Sequence, residues 1–229
     1  MDIEMSPRKI LVMLLSMIGF LLFANIMGLV STYAFDHDTV YGLIKLLDFG
    51  SEENLPTLFS SLQLIVVSSL LSIIGSKHKS NGEIYFPWFV LSVIFLYLAV
   101  DETAQIHERL VGPVQSAFEL TGLLYFAWVV PYGVGVLVFV IAFSRFLFRL
   151  PKETARRFIA SGAIYITGAI GFEMLGGRHF ETYGAENVVF SMLYTCEELL
   201  EMLGIALFIY TLLTYVSNEF QYLKATVRG

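Results

Sequence analysis

Asp101, Glu102, His107 and Glu108 stand in one short run, Asp101-Glu102-Thr103-Ala104-Gln105-Ile106-His107-Glu108. Glu197, Glu198 and Glu201 form a second acidic group, and Glu173 lies between them in the block Gly171-Phe172-Glu173-Met174-Leu175. Carboxylates with an imidazole among them can exchange protons, hold a hard cation through oxygen, or build a mixed oxygen and nitrogen set around a metal. On a continuous helix, at about 100° per residue, Asp101, Gln105 and Glu108 share a face, Glu102 flanks it and His107 points elsewhere. The same spacing stacks Glu197 over Glu201. Bundle sites for two irons use Glu-x-x-His pairs, and none occurs here; Glu198-Leu199-Leu200-Glu201 is the nearest spacing.

These residues must be positioned by very apolar elements. The chain has 229 residues, 56% hydrophobic and 15% charged, with a mean hydropathy of +0.71, too apolar for an ordinary water-soluble domain. A net charge of -6 and scattered basic residues imply no nucleic-acid partner. The single cysteine, Cys196, excludes an intrachain disulfide and a CxxC site.

Apolar stretches at 10–30, 57–75, 86–110, 123–148, 158–176 and 188–216 are each near the ~20 residues that cross hydrocarbon as a helix. The expected fold is an all-α, polytopic membrane helix bundle with about six transmembrane helices in one domain over 1–229. The first run exceeds the usual signal-peptide core of about 7 to 15 residues and follows Asp2 and Glu4, so it reads as a retained span. Basic residues then orient the chain. Arg8, Lys9, Lys77, Lys79, Arg145, Arg149, Lys152, Arg156, Arg157, Lys224 and Arg228 fall on one side, and only Lys45, Arg109 and Arg178 on the other. Both termini are therefore expected to be cytoplasmic, in a cell membrane. Val40 to Leu47 has the apolar spacing of a short interfacial helix in the first outer loop.

With that orientation, Asp101 and Glu173 lie roughly 22 Å from the inner boundary and Glu197 roughly 13 Å from the outer one, in a core about 30 Å thick. The third, fifth and sixth spans can thus bring their carboxyls into one layer toward the outer side. An unpaired ionised carboxylate there costs several kcal/mol. Protons, a bound cation, Arg109 or Arg178, or a water-filled cavity must neutralise the group. The simplest structural alternative is a hydrogen-bonded network with Arg109 and Arg178 as counterions. Glu108 with Arg109, and Arg178 with Glu181, are candidate interfacial pairs. Asp36, Asp38, Glu52, Glu53, Glu181 and Glu186 read as solvated loop charges, Ser60, Ser61 and Gln63 as helix-packing groups, and Gly133, Gly135, Gly162, Gly168 and Gly171 as packing surfaces.

The blocks Glu53-Asn54-Leu55-Pro56-Thr57-Leu58-Phe59-Ser60-Ser61, Asp101-Glu102 through His107-Glu108, Gly171-Phe172-Glu173-Met174-Leu175 and Glu197-Glu198-Leu199-Leu200-Glu201-Met202-Leu203-Gly204 resemble those of a group of uncharacterised bacterial multi-pass membrane proteins. That resemblance implies a bacterial inner membrane and carries no activity. The set of Ser60 or Ser61, Asp101 and several histidines faintly resembles the alkaline ceramidase and progestin-receptor superfamily of membrane hydrolases, which has seven spans and an HxxxH pair in the last one; here that span offers Glu197 and Glu201.

The expected site is Asp101, Glu102, His107, Glu108, Glu173, Glu197, Glu198 and Glu201, binding a divalent metal cation or protons in a transport, channel or sensing role. Two alternatives use the same chain: a metal-dependent membrane hydrolase or oxidoreductase, with His107 and His179 joining the carboxylates, and a structural subunit of a membrane complex. The expected partners are the lipid bilayer, the cation or protons, and a second copy or a larger membrane complex.

Overall fold

The computed structural model describes residues 6–220; Asp2, Glu4, Lys224 and Arg228 lie outside the described residues. The helices are α1 (Pro7–Phe35), α2 (Leu43–Leu47), α3 (Leu55–Ser80), α4 (Phe86–Ala104), α5 (Ile106–Arg109), α6 (Val111–Phe118), α7 (Val129–Leu147), α8 (Lys152–Ile166), α9 (Glu173–Tyr183) and α10 (Val188–Glu219). A π-helical segment, Thr167–Phe172, joins α8 to α9 without a break. Six helices are long and apolar enough to cross a membrane: α1, α3, α4, α7, the continuous helix Lys152–Tyr183, and α10. This is the architecture of a multi-pass membrane protein.

Helix starts follow local chemistry. Ser6 accepts from the Lys9 N–H at 3.3 Å ahead of Pro7, Asn54 accepts from Thr57 at 3.1 Å ahead of Pro56, and Asn187 accepts from Phe190 at 2.9 Å. Each side chain satisfies an N–H that the first turn leaves free, and proline costs nothing where no helical N–H bond is lost. The connections 36–54, 105–128 and 184–187 gather at one end of the bundle, called here the upper end. At the lower end, His78 accepts or donates at 2.9 Å to the Tyr215 hydroxyl, contacts Glu83, and stacks on Trp88 with ring centroids 5.4 Å apart.

The core forms around α10. Leu64, Val67, Leu71 and Ile74 of α3 pack with Trp88, Leu91 and Ala99 of α4 and with Ile205, Ile209 and Leu212 of α10. Ile18 and Leu21 of α1 pack with Phe49, Met202 and Ala206. Two serine contacts set the register of α3 against α4: Ser61 donates to the Ala99 carbonyl at 2.9 Å, and Ser68 and Ser92 each donate to the other's carbonyl at 2.8 Å. Asn25 ties α1 to α10 through Thr195 at 2.9 Å. These bonds hold helices together where lipid supplies no hydrophobic drive.

The structure corrects three local expectations. The third span does not run helical to residue 110: α4 ends at Ala104, and Gln105 is left-handed with φ 53°. The fourth span does not begin at 123, because Gly122–Leu124 is a 3-10 turn and α7 starts at Val129. The interfacial helix is shorter than Val40 to Leu47, because Tyr41 and Gly42 have φ of 51° and 77° and leave only Leu43–Leu47 helical.

Of the expected glycine surfaces, only one packs closely against another helix of the chain. Gly133, Gly135 and Gly162 have open space where a Cβ would go, and beside Gly171 lies only Thr167 of its own turn. Gly168 does make a contact: a Cβ there would meet the Glu197 carbonyl at 2.7 Å. Gly204, from the facing helix, would meet the Tyr165 nitrogen at 2.8 Å and the Ser161 carbonyl at 3.0 Å. Backbone atoms cannot swing aside, so these two glycines set the distance between α10 and the fifth span. Gly204→Ala is expected to destabilise the purified protein by about 1 to 3 kcal/mol through overpacking, whereas Gly162→Ala leaves it unchanged or slightly more stable; thermal unfolding in detergent compares the two.

Candidate functional site

Asp101 is the point around which the upper end is organised. It is 5% exposed and near the end of α4, so its carboxylate needs partners within the protein. One oxygen accepts from the His107 backbone N–H at 2.8 Å and lies 3.3 Å from His107 Nδ1. The other accepts from the Tyr132 hydroxyl at 2.8 Å, and Tyr132 in turn accepts from Tyr97 at 2.8 Å. The left-handed turn at Gln105 makes this geometry available. It takes His107 off the helical path, so that the residue expected to point elsewhere folds back onto Asp101.

Asp101 occupies His107 Nδ1, and Nε2 has no hydrogen-bond partner among the described residues. A carboxylate on one imidazole nitrogen with the other left free is the arrangement that orients a metal-binding histidine. Glu52, His107 and Glu108 each offer one ligand atom, and these atoms lie within 4.8 Å of one another. Glu52 Oε2 is buried and unpartnered, while Glu108 is exposed. This trio forms the mouth of the candidate site.

Below the mouth lies the remainder of the expected set. Glu102 feels the charge of Glu52, His107 and Asp101, Glu198 that of Glu102, Glu201 and Glu173, and Glu197 that of Glu173, Glu201 and Glu198, so these carboxyls lie within electrostatic range of one another. Glu173 accepts from the Trp128 indole N–H at 2.7 Å. It follows directly on the π-helical segment Thr167–Phe172, whose wider turn shifts the register of the residues after it. All eight expected residues therefore fall in one connected group at the upper end.

Several expectations fail here. Glu52 is not a solvated loop charge but part of the mouth. Among the described residues neither Arg109 nor Arg178 makes an ion pair, with Glu108, with Glu181 or with the acidic layer; Glu181 instead accepts from the Gly122 N–H at 2.7 Å. His179 does not join the carboxylates, because its Nε2 is 2.8 Å from the Asn187 oxygen that caps α10. The site is also not built from three spans alone. Trp128 and Tyr132, at the start of α7, supply two of its hydrogen-bond donors. Both are aromatic groups with a polar handle that must find a partner when buried, the one sequence signal by which they could have been found.

Outside the spans, two groups have displaced proton affinities. Burial, followed by the nearby charge of Glu108, raises the Glu52 carboxyl to about 7. For His107, burial works against the imidazolium, but the hydrogen bond and charge of Asp101 outweigh it and the pKa is raised. Both groups favour the protonated folded state. Their contributions are complete below their unfolded values and are lost as pH rises through the folded ones. The protein in detergent is expected to melt at a lower temperature at pH 8 than at pH 5, and Glu52→Gln is expected to flatten that dependence by at most about 3 kcal/mol. An unchanged pH slope in the variant would contradict the burial of Glu52.

No curated protein and no solved structure matches the chain. One family model does match, over a segment that contains every residue of the site. The match brings no activity with it and no link to the alkaline ceramidase and progestin-receptor superfamily. By that match, over residues 10–216, the chain belongs to the family described as a domain of unknown function, DUF8692.

Proposed function

We propose that this protein binds a hard divalent cation at the upper end of its helix bundle, with Glu52, His107 and Glu108 as the entry ligands. The observation that carries the reading is the convergence of these three ligand atoms within 4.8 Å, above six further carboxyls, none of which pairs with an arginine or lysine among the described residues. So many acidic groups in an apolar bundle need positive charge from somewhere. A cation, or protons in its absence, supplies it.

Carboxylate oxygens with one imidazole suit Mn²⁺ well, and Mg²⁺ or Ca²⁺ through the oxygens alone. The distribution of Lys and Arg favours the upper end facing outward from a cell membrane, so the cation would arrive from outside. Asp101 would act through His107, fixing its tautomer and raising its basicity as a ligand. The unpartnered Nε2 favours a metal over a purely structural network.

Titration of the detergent-purified protein with Mn²⁺, followed by calorimetry and by electron paramagnetic resonance, tests the proposal. Wild type is expected to bind Mn²⁺. Glu108→Gln, at an exposed position, is expected to weaken it at least tenfold without altering the melting temperature of the cation-free protein. Asp101→Asn is expected to weaken it by about 10- to 100-fold, as loss of an orienting carboxylate does elsewhere. A wild-type protein that takes up no Mn²⁺, Mg²⁺ or Ca²⁺ would end the proposal.

A further inference from the structure

We infer that the site has a second, deeper position for the same cation, floored by Ser60 and Gln63 of α3 opposite Glu198 and Glu201 of α10. This rests on the cation reading above and extends it into the bundle.

The starting observation is three polar atoms without partners. Ser60 Oγ and both amide atoms of Gln63 are buried and make no hydrogen bond, in residues that are 1% and 2% exposed. Leaving such atoms unsatisfied costs about 1 to 3 kcal/mol each, and native proteins fill such places with water or an ion. The neighbouring serines show that α3 has partners to offer: Ser61 and Ser68 both bond to α4. Ser60 and Gln63 lie on a different stripe.

That stripe is Ser60, Gln63, Val67, Leu71 and Ile74, with steps of three, four, four and three. α10 carries a stripe with the same steps: Glu198, Glu201, Ile205, Ile209 and Leu212. The two helices run parallel, and the lower members of the stripes share one core, where Val67, Leu71 and Ile74 pack with Ile205, Ile209 and Leu212. Continued upward, the same pairing sets Gln63 against Glu201 and Ser60 against Glu198. The register of α3 against α4 agrees. Pairing 61 with 99 and 68 with 92 puts Ser60 level with Val100, beside Asp101 and Glu102 in sequence, and Glu198 lies within electrostatic range of Glu102.

Two carboxyls thus face two neutral polar side chains, and no hydrogen bond joins the two sides. A group polar on every side fits between them. Ser Oγ, Gln Oε1 and the carboxyl oxygens of Glu102, Glu198 and Glu201 are an all-oxygen set suited to a hard divalent cation and its remaining waters, and the Gln63 N–H₂ can donate to those waters or to a carboxylate. One turn below, both stripes become apolar, which bounds the position.

The test is the number of Mn²⁺ ions bound per chain, and their affinities, in full-length wild type, Gln63→Leu, Ser60→Ala and Glu108→Gln. Two ions are expected in wild type. Gln63→Leu is expected to remove one or weaken it at least tenfold, with no loss of melting temperature in the cation-free protein, because an orphaned polar group has been removed. If Gln63→Leu does not fold, Ser60→Ala is expected to weaken the same ion. Glu108→Gln is expected to weaken only the other. A single ion that is weakened by Glu108→Gln and held within twofold by both α3 variants would overturn the deep position and leave the mouth intact. A single ion weakened by the α3 variants alone would support the deep position and overturn the mouth. No ion at all would overturn both.

Discussion

The upper end of this bundle depends on how one buried carboxylate is satisfied. Asp101 sits near the end of α4, and its two oxygens take the backbone N–H and imidazole of His107 and the hydroxyl of Tyr132. The bond to the His107 N–H stabilises the left-handed turn at Gln105, because an N–H cut off from its helical acceptor finds a side-chain acceptor instead. From that turn follow the position of His107, the approach of Glu108 to Glu52 and the docking of Tyr132. An alanine at position 101 would leave each of those donors without its acceptor.

The two halves of the bundle do different physical work. In the lower half, α3, α4 and α10 interlock through fully buried aliphatic side chains, Trp88 and reciprocal serine bonds, so packing and helix contacts supply the stability. In the upper half the same helices carry acids and orphaned polar atoms, and the fifth span carries a π-helical segment, none of which favours folding by itself. Functional groups are commonly drawn from such costly arrangements, held in place by a rigid neighbouring scaffold. Gly168 and Gly204 link the halves, bringing the backbone of the fifth span close enough to α10 for Glu173, Glu197 and Glu201 to share one space.

The apolar architecture was legible in the residues because lipid imposes simple rules on composition and length. The six stretches follow from counting along helices, and the same counting is why Glu173 and Glu197 could be brought together from distant parts of the chain. Counting failed wherever the backbone left the helix. Gln105, Tyr41 and the segment ahead of Val129 depart from helical geometry without a proline or a glycine run to announce it, except for Gly42 and Gly122. Glu52 was misread for a related reason: a loop residue carries no periodicity, and its burial depends on which loop lies beside it.

Hydropathy along the chain thus determined the class of the protein and the number of its candidate spans, since these are set by each segment's exchange between water and lipid. Only the tertiary structure decided which groups face one another. The pairing of α3 with α4 through Ser61 and Ser68, and of α3 with α10 through matching stripes, is fixed by side-chain contacts between segments far apart in sequence. Those contacts put Glu52 beside His107, left Arg109 and Arg178 without an ion pair among the described residues, and buried Ser60 and Gln63 without partners. No single segment carries that information, because register is a property of two surfaces in contact.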